Sequence, residues 1–147
     1  MQYNHTQIGR LMIFVFALTA ILFAGIFVAG GEEMNLGILA FMIFILFIIA
    51  SFGTLTVMID GEYLRIKFGY GIFQKKFKLS EIVSAKTEKH KWYHGWGIRY
   101  WIPTGMWIFN VSGWDVLEIE MTSGKKYRIG SDEVEGLVKE IKMVITK

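Results

Sequence analysis

Two long stretches without a charged residue dominate the first part of the chain. Residues 11–29 follow Arg10, and residues 36–59 end at Asp60. A helix needs about 20 apolar residues to cross a bilayer core, and both stretches are rich in Leu, Ile and Phe, which insert favourably. The pattern predicts two membrane spans, over residues 11–29 and 36–53, that form a helical hairpin.

Two other interpretations of these stretches are weaker. Buried core helices would need a larger domain to cover them on all sides. A cleaved signal peptide would need a more basic start and a small-residue cleavage site, and here Arg10 is the only basic residue before the first stretch. Neither span contains an ionisable residue, which argues against an ion or proton pathway.

The basic residues predict the orientation of the spans. Arg10 precedes the first span, the connecting loop has no Lys or Arg, and every other basic residue follows the second span. Cytoplasmic flanks carry the excess of Lys and Arg. We therefore expect a multi-pass protein of the plasma (inner) membrane with both termini in the cytoplasm.

The chain after Gly53 changes to short alternating segments that are typical of strands. Asp60-Gly61 is a hairpin signal, and residues 89–113 are less regular. The predicted strands cover residues 54–59, 63–68, 72–78, 83–88, 116–121 and 126–129. We expect six or seven strands in all.

The last segment has helical periodicity, because its apolar residues recur on one face. These residues are Val134, Leu137, Val138, Ile141 and Ile145. The sequence thus predicts an α+β membrane protein: a transmembrane hairpin in residues 1–53, and in residues 54–147 a small antiparallel β-barrel or sandwich capped by a C-terminal helix.

Composition narrows the class of protein further. The 147 residues are 53% hydrophobic, carry a net charge of +3 and include no cysteine. Disorder, a disulfide scaffold and a thiolate zinc site are excluded. A weakly basic chain with interspersed acids is a poor match to nucleic-acid binding.

The second half of the chain contains several short motifs rich in glycine. They are Gly95-Trp96-Gly97-Ile98-Arg99, Gly105-Met106-Trp107, Asn110-Val111-Ser112-Gly113, Ser123-Gly124-Lys125, Arg128-Ile129-Gly130-Ser131-Asp132 and Glu135-Gly136-Leu137. With these motifs, residues 54–147 resemble bacterial membrane-anchored proteins with a pleckstrin-homology-like (PH-like) domain, and depart from them at Val134, where a proline is expected. The resemblance implies a seven-stranded bent sheet with a C-terminal helix, and it supplies no catalytic residue.

All five tryptophans fall within one short segment that also contains basic residues. Trp and Tyr favour membrane interfaces and protein interfaces alike, although several of these rings could instead fill the core of a small barrel. We expect Trp92, Trp96 and Trp101 to be more exposed than Trp107 and Trp114. The candidate partner or lipid surface is Lys89, Lys91, Trp92, Trp96, Arg99 and Trp101.

A second candidate is a basic patch that would attract an anionic leaflet. Lysines on exposed strand edges are also ordinary protection against edge-to-edge pairing, and convergence of the side chains is required for a headgroup site. The patch comprises Lys75, Lys76, Lys78, Lys125, Lys126 and Arg128.

The sequence offers no candidate catalytic, cofactor-binding or metal-binding residue. His90 and His94 are four residues apart, but no Cys or carboxylate cluster completes a metal site. Ser112 has no base at a recognisable spacing.

These patterns predict a non-enzymatic, membrane-tethered PH-like module that binds a protein partner or an anionic lipid headgroup, without cofactor or nucleic acid. A homo-oligomer stays open. The alternative is an accessory subunit of a membrane enzyme or transporter complex, in which the hairpin itself makes the key contacts.

Overall fold

The computed structural model describes residues 3–111 and 113–146. These residues contain three α-helices and nine strands. The helices are α1 (Arg10–Gly30), α2 (Leu36–Ala50) and α3 (Val134–Ile145). The strands are β1 (Tyr3–Ile8), β2 (Thr54–Ile59), β3 (Tyr63–Phe68), β4 (Phe73–Lys78), β5 (Ile82–Lys89), β6 (Gly97–Trp101), β7 (Met106–Asn110), β8 (Asp115–Met121) and β9 (Lys126–Gly130).

The strands form two sheets. Sheet A has the order β1-β2-β3-β4 and sheet B the order β5-β8-β9-β7-β6. Neighbouring strands are antiparallel except β7 and β9, which are parallel. The predicted α+β class with a C-terminal helix is confirmed. The strand count is higher than the six or seven expected from pattern and the seven implied by the resemblance, because the sequence did not reveal β1, β6 and β7.

The two sheets bury their apolar faces against each other. In β3, Leu64, Ile66 and Phe68 point inward while Arg65 stays exposed, as alternation along a strand requires. Rings from the two sheets meet in the core, with Phe77 of β4 4.7 Å from Tyr127 of β9 between ring centroids.

Helix α3 closes one side of this core. It packs against β5 and β8 and buries the predicted apolar face of Val134, Leu137, Val138 and Ile141. The helical periodicity of the sequence therefore located both the element and the face that it buries.

Strand β1 is an edge strand that precedes the first helix. It pairs antiparallel with β2 along its whole length. Its inward residues are Tyr3, His5 and Gln7, so the apolar alternation that marks a strand in a sequence is missing. The hydrogen-bonded pairing with β2, not an alternation of apolar and polar side chains, makes this segment a strand.

Helices α1 and α2 are inserted between the hydrogen-bonded strands β1 and β2 and pack against each other. The N–H of Gly9, just before α1, donates to the carbonyl of Gly53, just after α2, at 2.8 Å. Gly9 must be small here, because a Cβ would lie 2.8 Å from the Cβ of Val111. The helix pair is thus joined directly to sheet A.

The surface of the helix pair is apolar on all sides. Among the described residues of the two helices Met42 alone is buried, and side chains such as Phe14, Ile21 and Phe41 are more than 60% exposed. The helical segment Arg10–Glu33 is long and apolar enough to cross a membrane, whereas α2 is apolar but has 15 residues. At about 1.5 Å per residue, α2 is about 22 Å long.

The turn between β3 and β4 rests on the end of α2. The hydroxyl of Tyr70 donates to the carbonyl of Phe47, and the two rings stack with centroids 5.1 Å apart. Gly69 allows this approach, because it has φ +50° and a Cβ would lie 2.5 Å from the carbonyl oxygen of Ser51. This turn marks the end of sheet A that faces the helices.

Candidate binding surfaces

The segment between β5 and β6 folds into a cluster of rings, which we call the aromatic cluster. The N–H of His90 donates to the carbonyl of Trp114 at 2.6 Å, which fixes the segment to the start of β8. A short 3₁₀ turn at Trp92–His94 then directs the chain back. The cluster comprises His90, Trp92, Tyr93, His94, Trp96, Trp101 and Trp114, with neighbouring ring centroids 4.8–5.9 Å apart.

The two histidines lie at the centre of this cluster. His90 and His94 are 3% and 7% exposed, and burial lowers the pKa of both imidazoles. The ring Nε2 of His90 donates to the carbonyl of Gly95 at 2.6 Å. For His94, nearby Arg128 and Lys91 lower the pKa further. The fold therefore favours neutral imidazoles at this site.

The exposure of the tryptophans corrects the sequence-based expectation. Trp92 is exposed as predicted, but Trp114 and Trp107 are also exposed, at 57% and 41%, while Trp96 and Trp101 are half-buried. Trp96 packs against His90 and Trp114. The sequence ranking was wrong because proximity to a regular strand does not bury a ring: Trp107 is exposed near the start of β7, and Trp114 is exposed just before β8.

The three candidate cations around the aromatic cluster make different contacts. Lys89 pairs with Asp115 on the neighbouring strand. The amine of Lys91 lies 5.7 Å from the centre of the Tyr93 ring, within cation–π range. Exposed Arg99 lies against Gly95, where a Cβ would be 2.5 Å from its Nε. The structure thus brings the predicted aromatic and basic residues into one region.

The second candidate, the six-residue basic patch, is divided between different faces. Lys126 and Arg128 lie on the outer face of sheet B with Glu118, at 4.0 Å and 2.9 Å. Lys75 lies on the inner side of β4 with its amine 5.9 Å from the Tyr127 ring, and its neighbours Lys76 and Lys78 alternate to the opposite face of sheet A. Exposed Lys125 belongs to the β8–β9 turn.

A basic group that the sequence analysis missed lies on the outer face of sheet A. Arg65 is the cross-strand partner of Lys76, and Lys67 is the partner of Gln74. Arg65, Lys67 and Lys76 line one open cavity of about 370 Å³. The signal was present in the sequence, because Arg65 and Lys67 alternate with the buried residues of β3, but only the strand pairing shows that Lys76 joins them.

A separate cluster of titratable side chains joins β1 to the start of α3. The Tyr3 hydroxyl donates to Glu133 at 2.8 Å, and His5 pairs with Asp132 and Glu133. Burial and the Glu133 carboxylate raise the pKa of Tyr3. These contacts join two elements of the fold and place the acids directly before the first turn of α3, as the helix dipole favours.

Neither the histidine pair nor these acids form a group of three or more side chains placed to hold a metal ion, within the described part of the chain. Ser112, considered as a nucleophile in the sequence, lies outside the described residues. No protein-family model matches this chain, and no curated protein matches it either. Its function is therefore inferred from the surfaces described above.

Proposed function

We propose that this protein is a non-enzymatic binding module, held at the cytoplasmic face of the plasma (inner) membrane by a two-span helical hairpin. The exposed apolar side chains on every side of α1 and α2 support the spans, because helices that are apolar all round need an apolar surrounding. The positive-inside bias of the sequence supports the orientation. A PH-like fold for the β-domain is part of the proposal, and the two sheets closed by α3 are compatible with it.

The observation that carries the proposal is the junction between helices and sheet. Both ends of the helix pair continue directly into adjacent strands, and the bond from Gly9 to Gly53 closes the junction. A domain attached in this way stays beside the bilayer. The simplest role of such an anchor is to hold a binding surface at the membrane.

The aromatic cluster is the partner surface that we propose. Exposed Trp92 and Trp114, with Arg99 nearby, are residue types that dominate binding energy at protein interfaces. The half-buried Trp96 packs against Trp114, and half-buried Trp101 packs against Tyr93, so the exposed rings are held in place. A surface with exposed aromatic rings on a rigid base loses little conformational entropy when it binds.

The accessory-subunit alternative is supported by a shallow groove on the helix pair. Small residues on α1, Ala20 and Ala24, leave a depression of about 300 Å³ beside Met42 and Leu46 of α2. Small residues let membrane helices approach closely, so a third helix from another protein would fit this groove.

The topology is tested by single cysteines, since the chain has none of its own. Glu33→Cys lies between the helices and Ser123→Cys lies in the β8–β9 turn. We expect an impermeant maleimide to label Glu33→Cys in intact spheroplasts and Ser123→Cys in inverted membrane vesicles. Labelling of both positions from the same side would contradict the two-span hairpin.

The partner surface is tested by site-specific photocrosslinking in native membranes. A benzophenone side chain at Trp92 is expected to give one discrete protein adduct, and the same group at Ile102, which is 81% exposed, is the matched control and is expected to give none. Adducts from α1 alone, at Ala24, would favour the subunit alternative. Equal adducts from Trp92 and Ile102 would show that the cluster is not a specific surface.

A further inference from the structure

The outer face of sheet A is defined by the strand register. In β3 the inward positions are Leu64, Ile66 and Phe68, so the intervening side chains point outward. Cross-strand partners share a face, which adds residues from β2 and β4. The face comprises Thr56, Met58, Tyr63, Arg65, Lys67, Gln74, Lys76 and Lys78.

This face carries positive charge that the described residues do not neutralise. Lys67, Lys76 and Lys78 form no ion pair within the described part of the chain. Asp60 pairs with one cation of the face: its carboxylate accepts from two backbone N–H groups and from the Nε of Arg65 at 2.7 Å. The contrast is the outer face of sheet B, where the cations surround Glu118.

The cations are held close together by contacts within the face. The ring of Tyr63 lies 5.0 Å from the amine of Lys76 and 5.2 Å from the guanidinium of Arg65. Lys67 lines the same open cavity as Arg65 and Lys76. A group with several oxygen acceptors and negative charge would contact all three side chains at once.

The face begins at the end of sheet A that meets the helices. Lys67 and Gln74 are cross-strand partners next to the β3–β4 turn, and Tyr70 of that turn rests on α2. At about 3.3 Å per residue, Arg65 lies about 7 Å farther along the strand than Lys67. If the helices cross the bilayer, this places Lys67 beside the lipid headgroups, with the strand positions of Arg65 and Lys76 about 7 Å farther from the membrane.

We propose that Arg65, Lys67 and Lys76 bind the phosphate headgroup of an anionic phospholipid of the membrane that holds the helices. This inference rests on the proposed function, because it needs α1 and α2 in the bilayer. Charge complementarity and the position beside the helices select the lipid. The two unpaired lysines, each contributing about fivefold, give a preference of about 25-fold for anionic over zwitterionic lipid.

The test compares full-length protein variants in detergent by native mass spectrometry. The probe is dioctanoyl phosphatidylglycerol, with dioctanoyl phosphatidylcholine as the neutral lipid and inorganic phosphate as the free anion. Lys67→Gln with Lys76→Gln is expected to weaken binding of phosphatidylglycerol about 25-fold. The matched control, Lys125→Gln with Lys139→Gln, removes the same charge from exposed positions elsewhere and is expected to bind as the unmodified protein does.

Three results would overturn the lipid site. One is equal binding of phosphatidylglycerol by the double variant and the unmodified protein. Another is an equal loss in the control variant, which would reduce the effect to net charge. The third is displacement of the lipid by equimolar inorganic phosphate, which would assign the site to a free anion.

Alkaline carbonate extraction separates failure of this site from failure of the anchor. Release of the unmodified protein from native membranes would refute the spans, and with them the proposed function. Retention in the membrane without selectivity for phosphatidylglycerol would refute the headgroup site alone.

Discussion

On the outer face of sheet B, Glu118 is 6% exposed and its carboxylate has three cations around it. Arg128 donates to it at 2.9 Å, and the amines of Lys86 and Lys126 lie at 3.6 Å and 4.0 Å. One buried carboxylate therefore pairs with three basic residues, two of which, Lys126 and Arg128, belong to the patch that the sequence predicts.

Glu118→Gln is expected to lower the free energy of unfolding by about 3 kcal/mol, because it leaves Arg128 and its neighbours without their buried partner. The measurement is chemical denaturation in mild detergent, followed by tryptophan fluorescence. Glu120→Gln, two residues along the same strand and more exposed, is the control and is expected to change stability by less than about 0.5 kcal/mol. Equal effects of the two substitutions would show that Glu118 does not organise the face.

Among the elements, the segment from His90 to Trp96 carries two buried histidines that make its stability depend on pH. Burial lowers the pKa of His90 and His94 from the ordinary 6.5. The unfolded chain therefore takes up protons that the folded chain refuses, and stability falls as the pH decreases below about 6.5. Above that pH both states are neutral and the effect vanishes.

His94→Phe is expected to reduce the loss of stability between pH 7 and pH 5, because it keeps a ring beside Tyr93 and Trp101 but cannot bind a proton. The midpoint of denaturation at the two pH values is the measurement. Tyr93→Phe, which alters a ring of the same cluster but removes no histidine, is the control and is expected to keep the pH dependence. An unchanged pH dependence in His94→Phe would exclude His94 as its source.

Whether a strand could be predicted from the sequence depends on what covers the two faces of that strand. β3 and β8 have one face in the core and one carrying charged residues, so their alternation is plain in the sequence. β6 and β7 carry apolar residues on both faces, because the segment between β5 and β6 folds back over them and brings His94 to within 4.8 Å of the Trp101 ring. β1 lacks apolar residues on its inward face, and its pairing depends on β2, which is distant in sequence.

The candidate surfaces were predictable to different degrees for related reasons. The aromatic cluster is local in sequence, so its members could be named, although their exposure could not. The basic residues of β4 and β9 belong to different sheets, and only the topology separates them. Arg65 and Lys67 meet Lys76 through the register of two strands, which the alternation in each strand does not reveal.

At the scale of the whole molecule, β1 connects three parts of the structure. It leads into α1, pairs with β2 and reaches α3 through Tyr3 and His5, which contact Glu133 and Asp132. β1 thus links the start of α1 to the helix that closes the core of the β-domain.

Replacing Tyr3 by Phe and His5 by Ala is expected to speed hydrogen exchange of the first-turn amides of α3 about fivefold, the effect of losing about 1 kcal/mol of local hydrogen bonding. Hydrogen–deuterium exchange measured by mass spectrometry reports this directly. Asn4→Ala, an exposed change on the opposite face of β1, is the control and is expected to leave α3 unchanged. Unchanged exchange in the double variant would mean that α3 is held by its core contacts alone.

The paired strands on either side of the helix pair have a mechanical consequence. A domain joined to a helix pair by one flexible linker rotates about that linker and takes many orientations. Here two chain segments connect the helix pair to sheet A side by side, and a hydrogen bond joins them at Gly9 and Gly53. Rotation of the sheet relative to the helices would therefore have to break the pairing of β1 with β2. When the helices tilt, sheet A tilts with them, and its outer face keeps a fixed orientation relative to the helix pair.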